Sequence, residues 1–147
     1  MTRKFLLLAV VAAMSFAAVP VAVANTAWAL AARAALNRIH HMQEGTHDFA
    51  AVIIEAPAGK IYEVALEHAR QNRSLMILMQ DPIARRLQVA EGDRTATLHV
   101  VEFSPQVSQL MIAGTARPGE GGTASRVVAA ALRICAEMKK ECQLERR

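Results

Sequence analysis

The chain begins with a long apolar segment. No ionisable side chain occurs between Phe5 and Ala32, and Arg3 and Lys4 stand directly before this segment. A short cationic start followed by an apolar run is typical of a secretory signal peptide. About 20 apolar residues are also enough to span a bilayer. The pattern therefore predicts a periplasmic protein after cleavage, with no remaining membrane span, or alternatively an inner-membrane protein anchored by the uncleaved segment.

Two small-residue motifs offer cleavage sites for a signal peptidase. Pro20 ends the apolar core, and Ala22-Val23-Ala24 follows it, which predicts a mature chain that starts at Asn25. The later motif Ala27-Trp28-Ala29 would instead make Leu30 the first residue. The residue directly after each site is not a cysteine, so the sequence excludes a lipoprotein anchor.

Beyond the signal, Asn25–Gln43 has the spacing of a short amphipathic helix. Apolar side chains recur there at steps of three and four residues, namely at Trp28, Ala32, Ala35, Leu36 and Ile39. Gly45 follows, and glycine is common just past a helix end. We therefore divide the chain into a signal peptide (1–24), an N-terminal helical segment (25–45) and a single α+β domain (46–147).

Within the domain, short apolar runs alternate with two segments of helical period. Helices are predicted over Lys60–Asn72 and Thr123–Lys140. Strands are predicted over Phe49–Glu55, Ser74–Gln80, Arg85–Ala90, Thr95–Phe103 and Gln106–Ala113. The short turns between the later strands favour an antiparallel meander. The order β-α-β-β-β-β-α therefore predicts an α+β two-layer sandwich with the helices on one face.

Composition and charge narrow the function classes. The 17 basic residues exceed the 13 acidic ones, and Arg3 and Lys4 of the signal account for half of this excess. The remaining charges are mixed in sign along the chain, which argues against a nucleic-acid partner. Apolar residues make up 53% of the chain, too many for a disordered protein.

Cys135 and Cys142 are the only cysteines, and an exported pair favours a disulfide. On one continuous helix, their Cα atoms would lie roughly 10 Å apart, whereas a disulfide tolerates about 7 Å. Either the helix breaks near Lys139-Lys140 and the tail folds back, or both thiols stay free on the buried face. The spacing is not the Cys-x-x-Cys of a thiol oxidoreductase.

Three histidines, His40, His41 and His47, lie near Glu44 and Asp48. Imidazole and carboxylate together suit zinc or copper. Adjacent histidines on the predicted helix would point about 100° apart, and the His-Glu-x-x-His spacing is missing. We interpret the cluster as a solvated helix end, with weak metal binding as the alternative, and we expect no cofactor.

The sequence also lacks a recognisable catalytic pattern. His68 and His99 have no Gly-x-Ser-x-Gly element to pair with. The glycine-rich loop Arg117–Gly122 lacks the Gly-Lys-Ser/Thr ending of a phosphate-binding loop. We assign no catalytic residue and expect a non-enzymatic protein.

The segment Ala56–Leu66 (APAGKIYEVAL) resembles a recurrent small bacterial envelope domain of unknown function. In such domains a strand leads through Ala-Pro into a helix, and a strand meander and a C-terminal helix follow. The order is also similar to helix-grip domains of outer-membrane assembly lipoproteins, but this chain lacks their lipid-bearing cysteine. The resemblance covers Phe49–Leu144 and implies an envelope protein without a known active site.

These observations give one leading hypothesis and two alternatives. The leading hypothesis is a binding or interaction module of the cell envelope, whose partner is another envelope protein or a lipid. One alternative is a carrier that holds a small apolar ligand between the sheet and the C-terminal helix. The other is a small periplasmic enzyme or metal-binding protein.

Overall fold

In the described part of the chain, a seven-stranded sheet with two long helices on one face forms the framework. The computed structural model describes residues 33–122 and 125–145. The strands are β1 (Arg38–Glu44), β2 (His47–Ile54), β3 (Met76–Asp81), β4 (Arg86–Glu91), β5 (Arg94–Ser104), β6 (Val107–Thr115) and β7 (Gln143–Leu144). The helices are α1 (Ala58–Gln71) and α2 (Arg126–Glu137). None of the helices within the described residues is long and apolar enough to cross a membrane.

The strand order across the sheet is β3-β4-β5-β6-β2-β1-β7. Strands β3 to β6 form an antiparallel meander, and β6 continues onto β2, which pairs with β1. Only β7, among the named strands, pairs in parallel, with β1. The α+β class, the meander and the predicted β-α-β-β-β-β-α order are confirmed from the strand at Phe49 to the closing helix.

The core lies between the sheet and the two helices. Alternate residues of β2 face this layer, so Ala50, Val52 and Ile54 are buried. Helix α1 contributes a buried stripe of Ala58, Ile61, Tyr62, Ala65 and Ala69. Helix α2 contributes Val127, Val128, Ala131, Ile134 and Cys135. Both stripes follow the helical period that the sequence shows.

The predicted helix over Asn25–Gln43 is wrong for its second half. Residues 33–35 are helical, but the chain is extended from Arg38 to Glu44 and pairs with β2 from Ile39 to Glu44. Gly45, at φ +58°, forms the tight turn of this hairpin instead of ending a helix. Pairing with β2 and burial of Ile39 outweigh the local helical period. Trp28, the cleavage sites and the signal segment lie outside the described residues.

The disulfide between Cys135 and Cys142 is present, with the Cα atoms 6.0 Å apart. Helix α2 ends at Glu137, three residues before the predicted end, and the chain reverses through Lys139 at φ +56°. The tail then adds β7 to the edge of β1. The structure thus confirms the alternative in which the helix breaks and the tail folds back.

Candidate ligand-binding cavity

A cavity of about 300 Å³ lies between the sheet and both helices. Its apolar wall is formed by Ala65 and Ala69 of α1, Leu87 and Val89 of β4, Ala96 and Leu98 of β5, Ile112 of β6, and Val127, Ala130 and Ile134 of α2. Alanine at the helix positions leaves space that longer side chains would fill. The cavity therefore results from small residues at the places where α1 and α2 face the meander.

Gly114 of β6 bounds one side of this space. A Cβ atom at this position would lie 3.2 Å from Cγ1 of Val127 and 3.2 Å from the carbonyl oxygen of Thr95. Glycine here lets α2 and β5 approach β6 closely. The start of α2 is thus held near the sheet, and Val127 there forms part of the cavity wall.

The cavity opens toward solvent along one edge of α2. Arg126, Ala129 and Arg133 of this helix are exposed, as is Thr95 at the start of β5. At the opposite end, Leu87 and Ile112 are each 3% exposed. A ligand would therefore enter between α2 and the β4–β5 turn and meet apolar side chains inside.

Charged groups surround the opening. Arg126 forms an ion pair with Glu91, and Nη1 of Arg94 lies 2.7 Å from Oε2 of Glu120. The backbone N–H of Arg117 donates to the Glu120 carboxylate and, with Arg94, holds the pKa of Glu120 below its ordinary value. These two ion pairs join four of the charged side chains around the entrance.

The two helices are joined beside the cavity by a histidine–carboxylate contact. Nδ1 of His68 on α1 lies 3.2 Å from Oε1 of Glu137 at the end of α2. His68 also contributes to the cavity wall. This contact joins the second half of α1 to the end of α2 beside the cavity.

The predicted metal candidates do not come together. On β1, alternate side chains face opposite sides of the sheet, so His40 and His41 diverge. Nδ1 of His40 lies 3.1 Å from Oε2 of Glu145, whereas His47 is exposed in β2. Within residues 33–122 and 125–145, no group of three or more His, Cys, Asp or Glu side chains could hold a metal ion.

His41 instead belongs to a buried polar network that sequence reasoning missed. Its Nε2 lies 2.6 Å from Oδ1 of Asp48, and the hydroxyl of Ser125 donates to Oδ2 of Asp48 at 2.6 Å. Ser125 is the N-cap of α2 and accepts from the backbone N–H of Val128. Two features of the sequence indicate this network: Asp48 is a charged residue in an apolar strand, and Ser125 directly precedes the apolar stripe of a helix.

The likeness to known proteins is limited to distant structures. No protein-family description and no curated protein matches the sequence. A Thermobifida fusca protein solved by NMR is 14% identical with a TM-score of 0.46, covering 67% of this chain and 99% of that one. An Enterococcus faecalis protein of unknown function is 12% identical with a TM-score of 0.45, covering 76% and 80%.

A third similar structure is the Zhui aromatase/cyclase from Streptomyces sp. R1128, which is 14% identical with a TM-score of 0.38, covering 68% of this chain and 87% of that one. All three TM-scores are below 0.5. These likenesses therefore assign neither a substrate nor an activity to this protein.

Proposed function

We propose that the protein binds a small apolar molecule in the cavity between the sheet and the helices. The observation that carries the proposal is the apolar wall around about 300 Å³ of open space. This volume is at the lower end of the range for ligand pockets in proteins, which is about 300–1,000 Å³. The carrier alternative raised by the sequence is thus the function that the geometry supports best.

The size of the cavity sets the affinity that we expect. Each buried methylene contributes about 0.8 kcal/mol, so about eight of them contribute about 6 kcal/mol. That free energy corresponds to a dissociation constant on the order of tens of micromolar. Ordering of the ligand and of side chains costs free energy, so the affinity is weaker than this dissociation constant. A single medium-length alkyl chain is a suitable probe.

We also propose that the protein acts in the periplasm without chemical turnover. The cationic start, the apolar segment and the Cys135–Cys142 disulfide support export, because disulfides persist in oxidising compartments. N-terminal sequencing of the exported protein tests this placement, and Asn25 or Leu30 is the expected first residue. Binding to another envelope protein remains a prediction from the sequence.

Isothermal titration calorimetry of the protein with 1-decanol tests the binding function. We expect wild-type protein to bind decanol and the alcohol to be recovered unchanged. Ala130→Phe should weaken binding at least tenfold, because the phenyl ring occupies the space of several methylenes. Ala136→Phe is the matched control, since Ala136 is exposed on the same helix and does not form part of the cavity wall.

The outcomes separate clearly. Weaker binding in Ala130→Phe, with wild-type binding in Ala136→Phe, supports the cavity as the site. Equal decanol affinity in both variants and in wild type would place binding elsewhere on the protein. No binding of decanol to wild-type protein would overturn the proposed function.

A further inference from the structure

We propose that the ligand is an anionic amphiphile and that Arg133 binds its acidic group at the opening of the cavity. This inference rests on the proposed function, since it assumes that the apolar part of the ligand occupies the cavity. It adds the chemical class of the head group, which is a carboxylate or a phosphate.

The charges of the cavity wall carry the first step. Three arginines, Arg94, Arg126 and Arg133, contribute to the wall, together with a single carboxylate, Glu91. A ligand that approaches the opening therefore meets an excess of positive charge. Such a field attracts anions and raises their local concentration.

The three arginines differ in what they contact. Arg126 forms its ion pair with Glu91, and Arg94 forms its ion pair with Glu120. Arg133 has no carboxylate within 4.0 Å among the described residues, although its side chain contributes to the cavity wall. Arg133 is thus the arginine of the cavity wall that is free to bind an incoming anion.

The position of Arg133 suits a head group and not a tail. Arg133 is exposed, whereas the next residue, Ile134, is 2% exposed and faces the interior. The methylene stem of an arginine can follow an apolar wall while its guanidinium stays in water. The planar guanidinium then offers two parallel N–H donors to a carboxylate or phosphate.

This arrangement gives each part of an amphiphile its own surroundings. The alkyl chain leaves water for the apolar wall, and the acidic group stays at the solvent edge beside Arg133. No charge has to be buried, so the ion pair does not carry a large desolvation penalty. A cationic head group at the same place would be repelled by Arg133, whose charge no carboxylate of the described residues neutralises.

Four ligands with the same ten-carbon chain test the inference: 1-decanol, decanoate, decyl phosphate and decylammonium. Decanol is used below its solubility limit and the three ionic ligands below their critical micelle concentrations. We expect wild-type protein to bind decanoate and decyl phosphate about three- to tenfold more tightly than decanol. Decylammonium should bind most weakly. Added salt should reduce the advantage of the anions, because it screens exposed charges.

Variants of Arg133 assign the effect to this residue. Arg133→Gln should bring the affinity ratio of decanoate to decanol close to one, whereas Arg133→Lys should keep part of the ratio. Arg86→Gln removes the same charge from the opposite face of the sheet, on β4, and should behave as wild type. Whichever of decanoate and decyl phosphate binds more tightly identifies the acid as fatty-acid-like or phospholipid-like.

The head-group inference and the proposed cavity function can fail separately. If decanol binds but decanoate binds no more tightly, or if Arg133→Gln keeps the wild-type ratio, the head-group inference fails and the proposed cavity function stands. If none of the four ligands binds to wild-type protein, the proposed function fails as well.

Discussion

The two sides of the helix layer are built differently. On the closed side, formed by β1, β2 and β7, both ends of α2 are tied to the sheet. Ser125 at the start contacts Asp48 of β2, and the disulfide at the end joins α2 to the tail that carries β7. On the open side, formed by β4 and β5, no comparable tie exists within the described residues beyond the ion pair of Arg126 and Glu91.

This contrast explains how a small domain keeps an internal space. Helix α2 packs mainly against β2, so its position is set on the closed side. The open side can then keep a gap over β4 and β5 without letting the helix collapse into it. The polar network and the disulfide are thus the frame of the cavity, although neither contributes to its wall.

The largest effect should follow from breaking the network on the closed side. Asp48→Ala leaves the Ser125 hydroxyl and the His41 ring without their shared acceptor in a buried place, since Asp48 is 3% exposed. Each buried hydrogen-bonding group that loses its partner costs about 1–3 kcal/mol, and two groups lose theirs here. Urea unfolding should show this loss as a lower midpoint.

The matched control for Asp48 is a carboxylate on the surface near the open side. Asp93 pairs with Arg117, and both side chains are mostly exposed. Asp93→Ala should change the free energy of unfolding by about 0.5 kcal/mol or less, because exposed ion pairs contribute little. Similar losses for the two variants would contradict the view that the closed side carries the frame.

Two neighbouring alanines of α2 give a second, smaller contrast. Ala131 is 1% exposed and outside the cavity wall, whereas Ala130 is half-buried and forms part of that wall. Ala131→Leu inserts methylenes into a filled core and should cost about 1–3 kcal/mol. Ala130→Leu enters open space, so stability should change by about 1 kcal/mol or less, in either direction.

Thermal unfolding of the two leucine variants, with and without decanol, measures this contrast. The Ala130→Leu protein should also bind decanol more weakly than wild type, because part of the cavity is filled. If Ala130→Leu is as destabilising as Ala131→Leu, the space beside Ala130 is not open in solution, and the contrast between the two sides is lost.

The sequence predicted the meander and both helices well, because each alternates or repeats with a period that local geometry imposes. It failed at Arg38–Glu44. Apolar positions recur there at helical spacing, but the segment pairs in a hairpin with β2, which is itself paired in the sheet with β6. The same error placed His40 and His41 on a helix, so the partner of His41 across that hairpin, Asp48, was not recognised.

The disulfide and the cavity show two further limits of prediction from the sequence. The spacing of Cys135 and Cys142 left two alternatives open, and the reversal at Lys139 decided between them. The cavity depends on the distance between helices and sheet, which no periodicity encodes. From the sequence, the small residues Ala124 and Ala131 of the last helix permit either a pocket or close packing. Ala131 lies outside the cavity wall, to which Ala65, Ala69 and Ala130 contribute instead.

The smallest effect should come from the ion pair at the entrance on the open side. Glu120 has a pKa below its ordinary value of 4.5 because the backbone N–H of Arg117 and the side chain of Arg94 bind its charged form. A group whose pKa is lowered by folding stabilises the folded state above its unfolded pKa. That contribution is lost as the pH falls through the lowered value.

Glu120→Gln should therefore reduce the midpoint of urea unfolding slightly and equally at pH 7 and pH 5. The difference from wild type should then narrow as the pH falls below about 4.5. Because Glu120 lies at the entrance and the frame lies on the closed side, decanol affinity should stay at the wild-type value. A difference that grows toward acid would contradict the assignment, and a loss of decanol affinity would show that the entrance pair shapes the cavity after all.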